Sequence, residues 1–254
     1  MLKDIGAAPV DDLTIIYYSA NRLPAQFAEA VREHLKHTAH ALRIPIISVT
    51  QEPVTLGRNV VVARREPSIW MLYLQVLVGA QLAKTPYLMM CEDDCLYSTG
   101  HFVSCRPRYG VDFLFNLNRW SLRTWDKKPC YSHKERSVFS QMLAQRKSLI
   151  RALKERLSLR GQLIEAKRAQ FIMQRMGEPG RYDAALGITQ RTVNTAYWGG
   201  GNVVFDHLYG LQARDLAKRK KMGPVRTDYL QSWGDAGELL VKYWGEEELQ
   251  KQRT

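Results

Sequence analysis

The segment Tyr87-Leu-Met-Met-Cys91 runs directly into Glu92-Asp93-Asp94. Five consecutive apolar residues without polar alternation describe a strand covered on both faces, the kind found inside a parallel sheet. Three adjacent carboxylates at the end of that strand repel one another, a cost that a cation offsets. The junction therefore fixes both an architecture and a place where chemistry can occur.

The residues before it repeat the pattern. Leu13-Thr-Ile-Ile-Tyr-Tyr18 is β-branched and aromatic, which predicts a strand, with Ser19-Ala-Asn-Arg-Leu-Pro24 as the following loop. Pro24 opens a helix that runs to about Leu42, with Phe27, Ala30, Val31 and Leu35 on one face. Ile44 to Val49 gives a second strand, Gln51 to Asn59 a loop containing Pro53 and Gly57, and Ser68 to Lys84 a long apolar helix. Strands alternating with helices imply an α/β fold with a mostly parallel sheet and crossover helices. Ligands bind such sheets beyond the carboxyl ends of the strands. Those ends carry Ser19 to Arg22, Thr50-Gln51 and the acidic triplet, and they are expected along one edge.

Charge is uneven. The chain has 254 residues and a net charge of +12, and residues 134–181 alone hold +8 of it. In that block Phe139, Met142, Leu143, Leu149, Ile150, Leu153 and Leu157 recur at helical spacing among Arg and Lys, and a second helix is expected from Gln162 to Met176. The block is expected to be an inserted basic helical hairpin, either a polyanion-binding element or a solvated cover for the sheet. It divides the chain into an α/β part at 1–133, the hairpin at 134–181 and a completing part at 182–254. The longest apolar run, Ile69 to Ala83, is too short for a membrane span. Residues Met1 to Asp12 show no basic start followed by an apolar stretch, so a cytoplasmic protein is expected.

The four cysteines are spaced C-x3-C-x9-C-x24-C, which lacks the paired C-x2-C of zinc sites. Cys91 and Cys95 suit buried packing beside the acids. Gly199-Gly200-Gly201 has neither the Lys nor the spacing of a phosphate loop. The acidic triplet has two readings: oxygen ligands for Mg²⁺ or Mn²⁺, or acids at a helix start.

Taken together, the Tyr-rich strand, Ser19-Ala-Asn-Arg-Leu-Pro24, Thr50-Gln-Glu-Pro-Val-Thr-Leu-Gly-Arg-Asn59 and Cys91-Glu-Asp-Asp-Cys-Leu-Tyr97 resemble a GT-A-type glycosyltransferase. More narrowly they resemble a group from bacteriophages and bacteria that includes enzymes adding sugars to hydroxymethylated pyrimidines in DNA. The resemblance covers about residues 12–105, with a weaker echo at 198–240. It implies a nucleotide-sugar donor, a UDP-sugar foremost, and a divalent metal, Mn or Mg. Tyr18, Ser19, Ala20, Asn21 and Arg22 would hold base and ribose, joined by Thr50, Gly57, Arg58 and Asn59, with Arg58 near the phosphates. Asp94 would be the principal metal ligand, with Glu92 and Asp93 meeting ribose or sugar hydroxyls. His207 would be a further ligand, or an ordinary strand-end histidine. Asp206, His207 and Asp228 are the possible general bases for an inverting transfer.

On this reading the acceptor is DNA, phage DNA hypermodification being the leading case. Arg119, Arg123, Arg146, Lys147, Arg151, Lys154, Lys218, Arg219 and Lys220 would track phosphates. Trp120, Trp125 or Trp198 would stack on an extruded base or else pack in the core. A surface glycan or lipid-linked acceptor, and a non-catalytic nucleic-acid-binding protein, are the alternatives.

Overall fold

In a computed structural model the described residues are 10–66, 68–164, 176–209 and 221–253. Four parallel strands form the first half of a seven-stranded sheet: β1 (Leu13–Ser19), β2 (Ile46–Thr50), β3 (Arg58–Val61) and β4 (Tyr87–Glu92), in the order β3-β2-β1-β4. The crossovers are α1 (Ala25–Ala41) and α2 (Ile69–Leu82). Every residue of β1 is buried because both faces are covered. Ile15 and Tyr17 pack with Leu35 and Ala39 of α1, while Ile16 and Tyr18 pack with Tyr73 and Val76 of α2. This is the period-two alternation of a strand sandwiched between helices. Ser68 caps α2, its Oγ accepting the Met71 N–H at 3.2 Å.

Between β4 and the second sheet come β5 (Cys95–Leu96) and α3 (Thr99–Val103). The first sheet continues past β4 as Met142–Gln145 (β9), then Phe113–Asn116 (β6), then Val193–Ala196 (β10). β9 is antiparallel to both neighbours, with Leu88 opposite Ala144 and Leu114 opposite Leu143. Met142 and Leu143 were expected within the helix. The continuous apolar run Met142-Leu-Ala144 is buried on both sides, and β4 and β6 supply its backbone partners. The basic block therefore contributes a strand to the main sheet.

After β9 the helix α4 (Arg146–Ser158) packs its Leu149, Ala152 and Leu153 against the α2 side of the sheet. The second arm expected at 162–176 falls almost wholly on 165–175, outside the described residues.

A second sheet joins β5 with β7 (Arg119–Arg123), β8 (Tyr131–His133), β11 (Asn202–Asp206) and β12 (Val225–Thr227), in the order β12-β8-β7-β11-β5. A short hairpin, β13 (Tyr229–Leu230) and β14 (Gly234–Asp235), leads into α5 (Ala236–Trp244) and α6 (Glu246–Arg253). Asp235 caps α5, accepting from Gly237 N–H and Glu238 N–H at 2.8 and 2.9 Å. Phe27 of α1 stacks on Trp244 with ring centres 4.0 Å apart and meets Phe205 of β11 edge-on, which ties α1 and α5 to the second sheet. Among the described residues no helix is long and apolar enough to cross a membrane.

Candidate active site

The strand ends converge. Register sets Ser19 opposite Thr50 and Tyr18 opposite Glu92. Where β1 and β2 separate, the buried Gln75 of α2 donates from Nε2 to the carbonyls of Ser19 and Val49 at 2.7 and 2.9 Å. It thereby ties the carboxyl ends of β1 and β2 to α2 through one side chain.

Beyond the splay, Asn21 joins the loops. It adopts φ 54°, and its Oδ1 accepts the Gln51 and Glu52 N–H groups at 2.9 and 3.0 Å. An αL conformation is one that Asn tolerates better than most residues. Asn59 works inside the second loop, donating to Ser48 Oγ and Thr50 Oγ1 at 2.9 Å each while its Oδ1 accepts from Val54 N–H at 3.2 Å. Gly57 has φ 56°, and a Cβ there would sit 2.3 Å from the Ile46 carbonyl oxygen. Asn21, Asn59 and Gly57 thus shape the loops.

Arg58 does not lie where a phosphate contact was expected. It pairs in register with Ile47 at the amino end of β3, away from the acidic triplet. The cations at the carboxyl end are Arg64 and Arg65. Arg64 pairs with Glu52 at 3.1 Å, and the Arg65 N–H donates to Gln51 Oε1 at 3.0 Å. Arg22 stands on the same rim, paired with Glu66 at 2.7 Å. The sequence reading overlooked Arg64 and Arg65. Gln51 to Asn59 was expected as one loop; Arg58 instead opens strand β3, so the cations at its carboxyl end come later in the chain.

The three acids meet different partners. Tyr18 OH donates to Glu92 Oε1 at 2.6 Å. Ser19 Oγ donates to Asp93 Oδ2. Asp94 turns toward the second sheet, where its carbonyl accepts the Phe205 N–H at 2.8 Å and its Oδ2 lies 3.6 Å from His207 Nε2. Burial first, and the Asp94 charge second, push Glu92 up to about 8 and Asp93 up to about 6. Asp94 Oδ1 is buried and has no hydrogen-bond partner among the described residues.

A buried carboxylate oxygen without a donor could serve as an oxygen ligand for a hard cation. The carboxylate oxygen suits Mg²⁺ or Mn²⁺, whereas an imidazole nitrogen is the ligand of softer ions such as Zn²⁺. Among the described residues no three His, Cys, Asp or Glu side chains converge as a closed cage. The reason is visible: Tyr18 and Ser19 hold two of the three acids away. An open site with one or two protein ligands, completed by water and substrate phosphate, is how Mg²⁺ is ordinarily held. His207 adds a condition. Its Nδ1 accepts the Tyr209 N–H at 3.1 Å, so Nε2 carries the proton of the neutral ring and faces Asp94. Ligation through Nε2 would require breaking the Tyr209 contact.

Two cavities flank Glu92. One, of about 400 Å³, is lined by Tyr18, Ser19, Ala20, Gln51, Gln75 and Asp93. The other, of about 510 Å³, is lined by Arg136, Phe139, Ser140, Arg181 and Tyr182 among others. They share Ile69, Leu72 and Glu92, so a trough crosses the amino end of α2.

Of the expected bases, Asp206 and His207 sit together at the end of β11, and Asp206 is buried, its carbonyl accepting the Thr124 N–H at 3.0 Å. Asp228 follows β12, on the same end of the second sheet but three strands from β11. At about 4.8 Å per strand the gap is about 14 Å.

The expected phosphate contacts divide. Arg119 is 8% exposed, which corrects the expectation that it reaches a phosphate. The Arg123 side chain is 11% exposed, 4.0 Å from Asp126 and over the Trp125 ring, so it too is spent inside the protein. Arg146 is half-buried and donates to the Ala80 carbonyl at 3.4 Å. Lys147, Arg151 and Lys154 are exposed. Lys218, Arg219 and Lys220 lie outside the described residues. Trp198 is a core residue, its Nε1 donating to the His101 carbonyl at 2.9 Å. Trp120 remains half-buried beside His133, whose ring also meets exposed Tyr197.

No family of known proteins matches the chain, and no curated protein sequence does. Solved structures overlap it in part. A glycosyltransferase involved in glycosylation of the major capsid of PBCV-1 is 11% identical, with a TM-score of 0.42 over 73% of this chain and 81% of that one. The catalytic domain of Drosophila β1,4-galactosyltransferase 7, solved with xylobiose, is 12% identical, with a TM-score of 0.40 over 83% and 82%. A nucleotidyl transferase from Methanothermobacter is 10% identical, with a TM-score of 0.37 over 72% and 87%. Likeness this distant leaves the function to the chain's own residues.

Proposed function

We propose that the chain is a metal-dependent glycosyltransferase of the GT-A type that uses a nucleotide-sugar donor. The observation that carries this is Asp94: a carboxylate with a buried, unpartnered oxygen, facing His207 across the junction of the two sheets, beside a trough at the carboxyl ends of β1, β2 and β4. Asp94 would hold the metal, with His207 as its neighbour. A divalent cation bound there supplies charge neutralisation for a diphosphate leaving group.

The chain's own residues do the remainder. Tyr18, Ser19, Ala20 and Gln51 line the cavity for base and ribose. Arg22, Arg64 and Arg65 ring it with positive charge for the phosphates. Glu92, held near neutral by burial, is able to donate a hydrogen bond to a sugar hydroxyl. Asp206 would take the acceptor proton in an inverting transfer.

For the acceptor we carry the DNA reading, transfer to a hydroxymethylated pyrimidine. It is supported by the net charge of +12 and by the partly exposed rings of Trp120, His133 and Tyr197, of which His133 meets both others. The test combines the protein, Mn²⁺, mixed nucleotide sugars and hydroxymethylated DNA, followed by digestion to nucleosides and mass spectrometry. A nucleoside heavier by one sugar supports the reading. Transfer to an oligosaccharide or lipid-linked acceptor, with unmodified DNA, overturns the acceptor and keeps the transferase.

A further inference from the structure

At the opposite end of the main sheet lies a third cavity, of about 450 Å³. Its lining includes Tyr87 and Gln145, which pair at the amino end of β4, together with Arg108, Tyr109, Asp112 and Arg151. Glu92 ends the same strand, so about 17 Å of β4 separates this cavity from the acidic triplet. Neither the metal site nor the donor cavity uses its residues.

Its composition selects a ligand. Arg108 and Arg151 are exposed, as are the nearby Lys84 and Lys147, and none of the four forms an ion pair with a described residue. The one acid, Asp112, is already engaged: Ser148 Oγ donates to Oδ1, and the Thr192 N–H donates to Oδ2 at 2.9 Å. Tyr109 stands on a turn with its side chain fully exposed (107%), beside Gly110 at φ 81°. An aromatic that buries nothing in its own fold, flanked by two unpaired guanidinium groups, has the composition of a stacking platform between phosphate contacts. The start of α4 adds to the field. Its first turn holds Arg146 and Lys147 and no acid, so two cations sit at the positive end of the helix, where an anion would relieve them.

We propose that this cavity binds single-stranded nucleic acid, with a base on Tyr109 and phosphates on Arg108 and Arg151. Stacking requires an unpaired base, which selects a single strand over a duplex. A membrane surface fits less well. The apolar stripe of α4, Leu149, Ala152 and Leu153, is turned into the core and has nothing to insert among acyl chains. A strand held here lies too far from Asp94 to be the reacting segment, so the site is a tether on the back edge of the sheet. It shares Arg151 with the DNA-acceptor reading but no residue with the metal and donor sites, so it survives or fails separately from the transferase chemistry.

The experiment is fluorescence anisotropy with the full chain and a labelled single strand of about 12 nucleotides, titrated at several salt concentrations. Tyr109→Ala is expected to weaken binding by about 5- to 150-fold. Arg108→Gln with Arg151→Gln is expected to flatten the log–log salt slope by about 1.4 units, about 0.7 per phosphate contact. All three side chains are exposed, so the thermal midpoint should hold and report intact folding. Unchanged affinity and slope in folded variants overturns the proposal. So does loss of binding to anionic phosphatidylserine vesicles in these variants while oligonucleotide affinity stays constant, which would assign the patch to a membrane.

Discussion

Tyr18 and Ser19 each hold one of two consecutive acids, and Asp94 is left to face His207. That difference in partners gives each acid its own test. Asp94→Asn keeps the shape and removes the charge that would hold a cation, so turnover should fall by about 100-fold or more with little change in stability. Steady-state kinetics and Mn²⁺ calorimetry on the same sample check both halves. Glu92 and Asp93 predict a pH effect with a definite sign. Their folded-state pKa values lie above the unfolded ones, so the folded protein binds more protons through the intervening window. Without metal, stability should fall as pH rises from about 5 to 8 and level off above. Glu92→Gln, which still accepts from Tyr18, should remove most of that slope. Thermal midpoints in chelator at pH 6 and pH 8 measure it. An equal or higher midpoint at pH 8 would contradict the burial of those carboxyls.

Helix α2 is the element on which the site rests. Its Gln75 holds the splay of β1 and β2, and its Gly79 allows the helix to lie against the sheet. A Cβ at Gly79 would come 2.8 Å from Ile16 Cγ2 and 3.4 Å from Val49 Cγ2. Gly→Ala within a helix ordinarily gains about 1 kcal/mol. Here overpacking should win, and Gly79→Ala should destabilise by about 1–3 kcal/mol in urea unfolding. Elements of this kind were legible from sequence where periodicity was unambiguous: β1, α1, β2, α2 and β4 follow directly from their apolar patterns. Met142-Leu-Ala144 was not legible, because a short apolar run fits a buried strand as well as a helix, and only the neighbours β4 and β6 decide. The loops were half legible. Their place at the strand ends followed from topology, but the inward work of Asn21 and Asn59 depends on hydrogen bonds between distant segments. Asn21→Ala should accordingly cost about 1–3 kcal/mol of stability by leaving two N–H groups without their acceptor, a loss that urea unfolding would register before any donor-affinity measurement.

Among the described residues, the acidic triplet and a group of cations without ion pairs lie at opposite ends of one sheet. The triplet lies at the carboxyl edge. The amino edge carries Lys84, Arg108, Lys147 and Arg151, two of them from the basic block that sequence composition marked out. Composition located the excess charge but not its direction, because Arg119 and Arg123 are turned inward and look the same in sequence as Arg108 and Arg151. The proposed function turns on the metal-assisted handling of a nucleotide sugar at Asp94. Its most direct measurement is acceptor-free hydrolysis of a panel of nucleotide sugars by metal-stripped protein, with and without added Mn²⁺, in the parent and in Asp94→Asn. The account predicts nucleoside diphosphate release from at least one donor in the parent with Mn²⁺, and little from the stripped protein or the variant. Equal release in the stripped protein or in Asp94→Asn, or none from any donor, would contradict it.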